Sequence, residues 1–139
     1  MNFDLERFVD AQNPVYAQVL RELRQGLKRG HWMWFIFPQL RGLGQSSMAN
    51  RFGIDGADEA RAYLAHPVLG PRLEECTSLV NAVEGIPIDD IFGFPDTMKF
   101  RSSITLFAHV SSGSNVYVDA LEKYYGGQPD HLTLEMLSG

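Results

Sequence analysis

Cysteine is nearly absent from the chain: Cys76 is the single one among 139 residues. A disulfide framework and a cysteine-based zinc site are therefore both excluded. The four histidines, at positions 31, 66, 109 and 131, show no H-E-x-x-H or other paired spacing, so no metal site is expected. Blocks of like charge are missing, as is any basic arm. With a formal net charge of −5, nucleic acid is disfavoured as a main partner. Long apolar runs are missing too. The longest, Trp32 to Pro38, is far short of the about 20 residues a bilayer span needs, so no membrane association is expected. The first twenty residues carry Asp4, Glu6, Arg7 and Asp10, a pattern unlike a signal peptide, which points to a cytoplasmic protein. Strand signals are scarce. Trp34 to Phe37 is the one candidate, and Pro38 cuts it short.

What is there suits one helical domain over residues 1–139. The chain is 45% hydrophobic and 21% charged, which is neither a disordered nor a fibrous composition. No repeat or linker interrupts it. A short helix is predicted near Asp4 to Ala11. A second follows Pro14, with Tyr16, Val19, Leu20, Leu23 and Leu27 at helical spacing and Gly30 as its end. Ser46 or Ser47 caps a short helix through Phe52, and Asp55 caps another that runs to about His66. Leu69, Leu73, Cys76, Val80 and Val83 make one apolar stripe, closed by Gly85 and Pro87. Pro95 and Asp96 open a helix to about Val110. Tyr117, Leu121 and Tyr124 stripe the next, and a last one covers Leu132 to Leu137. The fold class is thus all-α: a compact multihelical domain of about seven to nine short, uneven helices, not a regular up-down bundle.

Two segments carry candidate chemistry. The first, His31 to Gly44, reads H-W-M-W-F-I-F-P-Q-L-R-G-L-G and holds both tryptophans. It has neither a helical period nor a clean alternation. Its rings suit a buried connector that plugs the core. Alternatively, Trp32, Trp34 and Gln39 line a site whose tail, Arg41, Gly42 and Gly44, runs into a helix start. Such a loop favours an anion, because unpaired N–H groups and the helix dipole act together. A lone G-x-G also arises wherever a turn needs positive φ, and the full dinucleotide fingerprint is absent, so no cofactor is implied.

The second segment is the helix from Asp96. At 100° per residue, Phe100, Ile104, Leu106, Phe107 and Val110 fill one apolar sector, and Asp96, Lys99 and Ser103 fall inside or beside it. Arg101, Thr105 and His109 fall on the opposite side. A buried ammonium is costly unless paired. Lys99 therefore snorkels to solvent, neighbours a capping Asp96, joins a structural ion pair, or lines a polar pocket with Asp96, Ser102 and Ser103. Glu59, Tyr63 and His66 share one flank of their helix, either as an exposed amphipathic face or as a proton-transfer group. Cys76, inside an apolar stripe, reads as core packing.

Three segments carry a resemblance: His31 to Gly44; Glu59-Ala60 with Tyr63-Leu64, His66-Pro67, Leu69-Gly70 and Arg72-Leu73; and Ile91-Phe92-Gly93 with Asp96, Lys99, Ser102-Ser103 and Thr105-Leu106-Phe107. Together they resemble the bacterial "domain of unknown function 1810" family, some of whose members carry the label calpastatin. That inhibitor is a disordered repeat protein, unlike this chain. The resemblance implies a compact, mostly helical single domain and no established activity. Three functions then compete. An enzyme would act on a small anionic or nucleotide-like ligand, with Asp96, Lys99 and Glu59 as catalytic candidates. A binding module would use the same pocket without turnover. An interaction protein would instead expose an apolar patch.

Overall fold

The computed structural model describes residues 3–113 and 115–138. Among them lie ten helices: α1 (Glu6–Gln12), α2 (Tyr16–Gln25), α3 (Met33–Ile36), α4 (Ser47–Arg51), α5 (Ala57–Ala65), α6 (Leu69–Ala82), α7 (Ile88–Phe92), α8 (Asp96–Val110), α9 (Val116–Tyr125) and α10 (His131–Ser138). The sole β feature among the described residues is an isolated parallel bridge between Leu40 and Ile54. The fold is all-α, as the sequence predicts. Among the described residues no helix is long and apolar enough to cross a membrane.

Two of the ten, α3 and α7, have no counterpart among the predicted helices, and both are short. The strand candidate Trp34 to Phe37 is instead the helical turn α3, in which Met33, Phe35 and Ile36 are all buried. One turn is too short to display a period of 3.6, and its four residues are all apolar, so no polar face marks it. The turn α7 has a wet side, with Asp89 and Asp90 exposed, but is likewise one turn long, too short to show a period.

Local chemistry sets the boundaries. Gly26 is left-handed at φ +71°, and its N–H donates to the Glu22 and Leu23 carbonyls. A left-handed glycine ends a helix, so α2 stops there and not at Gly30. Leu27 consequently leaves the stripe and is exposed. Ser46 caps α4 as expected, its Oγ accepting the Ala49 N–H at 3.1 Å. Asp55 does not cap α5. Gly56 holds that position without a side-chain cap, and the Asp55 carboxylate turns to Arg41 instead.

Helix α8 is the axis of the molecule. It packs against α3, α5, α7, α9 and α10. Residues Ser102 to Phe107 are buried without a break. The one-sided reading of this helix is therefore corrected: Thr105 is buried, because α10 covers its face and the Thr105 Oγ1 accepts the Asp130 N–H at 2.9 Å. Two rows of rings converge on α8. Phe8, Tyr63, Phe107 and Tyr117 follow one another at 5.2 to 6.0 Å between centroids. Trp32, Phe37 and Phe100 form the second row, with Phe37 edge-on to Phe100 at 5.0 Å. Phe100 and Phe107 sit two turns apart on one face, and truncating either to alanine should cost about 3–5 kcal/mol.

Candidate functional site

The segment from Gln39 to Asp55 is a loop closed at its neck. Arg41 N donates to Ile54 O at 2.9 Å, and Ile54 N donates to Gln39 O at 2.9 Å. Within it, arginines hold the carbonyls that α4 leaves open. Arg41 Nη2 donates to Gly53 O at 3.1 Å, Nη1 to Asn50 O, and Nε to Asp55 Oδ1 at 2.6 Å. Arg7 reaches across from α1. Its Nη2 donates to the same Gly53 O at 2.9 Å, Nε to Arg51 O at 2.8 Å, and Nη1 to Glu59 Oε2 at 3.1 Å and to Asp4 O. Glu59 is buried, and its second oxygen, Oε1, accepts the Asp55 N–H at 2.7 Å.

A cleft of about 450 Å³ opens over this cluster, lined by Phe3, Asp4, Arg7, Arg41, Arg51, Asp55 and Glu59. Glu59 pairs with Arg7, and Asp55 with Arg41. The exposed Arg51 guanidinium lies 5.0 Å over the Phe52 ring and makes no hydrogen bond or ion pair among the described residues. Of the predicted site residues, Arg41 and Glu59 meet here.

Lys99, Trp34 and Gln39 meet elsewhere, around a slot also lined by Met33, Phe37, Ala49, Phe52 and Gly53. The Lys99 ammonium sits 5.0 Å over the Trp34 ring and 3.6 Å from Asp96 Oδ1. Asp96 Oδ2 takes a closer partner, Lys28 Nζ, at 2.8 Å. The slot holds only about 10 Å³, room for roughly one water. Lys99 is thus the cation of a small aromatic and carboxylate cage, 23% exposed. Gly53 belongs to the slot, while its carbonyl serves Arg7 and Arg41 on the cleft side, so residues 49–53 form a wall between the two. A Cβ at Gly53 would lie 2.6 Å from Arg41 Cα.

The other predicted residues stand apart. Trp32 is fully buried, and its indole N–H donates to Glu22 Oε1 at 3.0 Å. Ser102 Oγ donates to Met98 O at 3.0 Å within α8. Ser103 is buried with no hydrogen-bond partner among the described residues and lines neither hollow. Gly42 has φ +102°, the turn requirement anticipated for it, whereas Gly44 makes room for α4: a Cβ there would meet Ala49 Cβ at 2.7 Å. The flank of Glu59, Tyr63 and His66 is not an exposed face. Glu59 and Tyr63 are buried, Tyr63 accepting from Gln12 Nε2 at 3.1 Å, and His66 Nδ1 accepts the Val68 and Leu69 N–H groups at the start of α6. No cluster of three metal-ligating side chains occurs among the described residues.

Two polar centres escaped the sequence reading. Arg7 has no local signal, since its side-chain partners other than Asp4 O, namely Arg51, Gly53 and Glu59, lie far along the chain. Glu22 lies between Val19 and Leu23 on the buried face of α2, a signal that was present. Burial pushes its carboxyl up, but the N–H groups of Gly30 and Arg29, the Gln18 amide and the Trp32 indole outweigh it and hold the group at about 2.

The chain is similar in structure to the conserved hypothetical protein Rv1873 from Mycobacterium tuberculosis, at 58% identity and a TM-score of 0.97, over 99% of this chain and 98% of that one. Comparison with curated proteins finds no match. The family described as "Protein of unknown function (DUF1810)" matches residues 2–137. With nearly its whole length covered, the chain belongs to the DUF1810 family.

Proposed function

We propose that the protein binds a small anionic ligand in the cleft bordered by Arg7, Arg41 and Arg51. One observation carries this reading. Arg7 and Arg41 are spent on carbonyls and carboxylates, but Arg51 is held over an aromatic ring with its donors free at the mouth of a ligand-sized hollow. A guanidinium fork suits the oxygens of a phosphate or carboxylate. Binding without turnover is favoured over catalysis. The two carboxylates expected to move a proton are both tied up, Glu59 by Arg7 and the Asp55 N–H, Asp96 by two lysines. Nucleotide-like ligands remain within this class, with the anion as their point of attachment.

The test is calorimetric titration with inorganic phosphate and with AMP, for the wild type and for Arg51→Ala. Arg51 is exposed, so its loss should leave the fold intact to within about 0.5 kcal/mol. Binding that weakens by about tenfold or more in the variant supports the reading. No binding of either compound to the wild type, or equal binding by the variant, overturns it.

A further inference from the structure

A larger hollow, of about 630 Å³, lies elsewhere on the molecule and shares no lining residue with the arginine cleft. It is a groove between α6, the end of α5 and the start of α9. Its floor is set by close packing: Gly70 lets α6 close on Leu64, where a Cβ would lie 2.1 Å from Leu64 O. Leu64 and Pro71 give it an apolar wall.

Tyr117 points to an occupant. Its ring packs on Phe107 at 6.0 Å, and the residue is 5% exposed while lining the groove. A buried tyrosine hydroxyl ordinarily finds a partner. The other four of the five tyrosines do so. Tyr16 donates to Glu75 Oε1, Tyr63 accepts from Gln12, and Tyr124 and Tyr125 donate to the Val80 and Thr97 carbonyls. The Tyr117 hydroxyl has no partner among the described residues, and it is the one turned to a hollow of this size.

The charge around it has one sign. Glu74 and Glu75 line the groove, and no lysine, arginine or histidine does so among the described residues. Glu74 makes no hydrogen bond or ion pair among them, and Glu75 has given only Oε1, to Tyr16. Burial, then the Glu74 charge, push the Tyr117 hydroxyl up, so it stays protonated. The polar groups at the loop end are committed: Ser111 Oγ donates to Phe107 O, and Asn115 Oδ1 accepts the Tyr117 and Val118 N–H groups. An anion would be repelled here. A neutral hydroxyl would meet the tyrosine and leave the carboxylates uncompensated. An ammonium group donates to carboxylate and tyrosine oxygen alike.

We propose that this groove binds an aliphatic polyamine, one ammonium group held between the Glu74 carboxylate and the Tyr117 hydroxyl, its methylene chain along Leu64 and Pro71, and a second ammonium group on the free Glu75 oxygen. The site goes beyond the anion cleft and is independent of it.

Calorimetric titration with 1,4-diaminobutane and with 1,4-butanediol, for the wild type, Glu74→Gln and Tyr117→Phe, tests it. The diamine should bind and the diol should not. Glu74→Gln should weaken the diamine by about tenfold or more, and Tyr117→Phe by about fivefold or more. Glu74 is exposed and the Tyr117 hydroxyl bonds nothing among the described residues, so both variants should melt with the wild type. Tyr117→Phe is the decisive arm, since diffuse attraction to surface carboxylates does not need a tyrosine hydroxyl. No diamine binding by the wild type, equal binding of the diol, or unchanged affinity in Tyr117→Phe overturns the proposal, and the phosphate titration of the arginine cleft stands or falls separately.

Discussion

Arg7 of α1 and Glu59 of α5 meet at 3.1 Å, Nη1 to Oε2, with their side chains 12% and 2% exposed. The pair joins the first helix to the mouth of the cleft, and Glu59 also fixes the Asp55 N–H. Removing one member of a buried pair strands the other. Glu59→Ala should therefore destabilise by about 3–5 kcal/mol in urea unfolding, and Glu59→Gln, which keeps an acceptor for Asp55, by less. A loss under about 1 kcal/mol for the alanine variant would show that Arg7 finds water as readily as it finds Glu59.

Lys28 and Lys99 share Asp96, but unequally. Lys28 is the closer and more buried partner, and its Nζ also donates to Gly30 O at 2.6 Å. Lys99→Met keeps a stem over Trp34 and leaves Asp96 paired, so thermal stability should change by about 1 kcal/mol or less. Lys28→Met leaves a carboxylate oxygen and a carbonyl without their donor and should cost about 2–3 kcal/mol. The opposite ranking of melting temperatures would assign the structural role to Lys99.

Glu22 should make stability acid-sensitive. Its folded value, about 2, lies below the ordinary 4.5. A depressed carboxylate stabilises the fold fully above the unfolded value, and that contribution fades as pH falls from about 4.5 toward about 2. Urea midpoints measured between pH 6 and pH 3 should drop, with the Trp32 indole as a local fluorescence reporter. Glu22→Gln should be less stable at pH 6 and flatter across the range. A parallel pH profile in the variant would remove Glu22 from the account.

Cys76 should be inert while the protein is folded. The residue is 1% exposed, and burial pushes its thiol up to about 12, against the opposing hydrogen bond with Tyr16. The thiolate is the reactive form. Labelling by Ellman's reagent at pH 8 should be negligible without denaturant and stoichiometric in urea. Rapid native labelling would mean that α6 opens from α2 on the labelling timescale.

Legibility followed burial pattern. Helices with one wet face announced themselves: α6 through Leu69, Leu73, Cys76 and Val80, and α9 through Tyr117 and Leu121. Single-turn elements, and faces covered by a helix distant in sequence, did not. Helical spacing places Thr105 opposite the apolar sector, because the sequence cannot show that α10 lies over it. The turn at Met33–Ile36 carries no polar face to set its phase. The candidate residues were legible as types, not as groupings. Arg41 and Glu59 converge, as do Lys99, Trp34 and Gln39, but on opposite sides of residues 49–53. Arg7 was invisible because everything that gives it meaning, Gly53 and Glu59 above all, arrives only through tertiary packing.

Gly53 has a consequence for how this family can diversify. Its missing side chain lets the backbone press on the Arg41 stem, and any larger residue would collide with main chain, not with a movable tip. The partition is therefore frozen in thickness, and neither hollow can grow at its neighbour's expense. Change in either hollow would have to come at its rim, as at Phe3 or Arg51, with the interior left as it is.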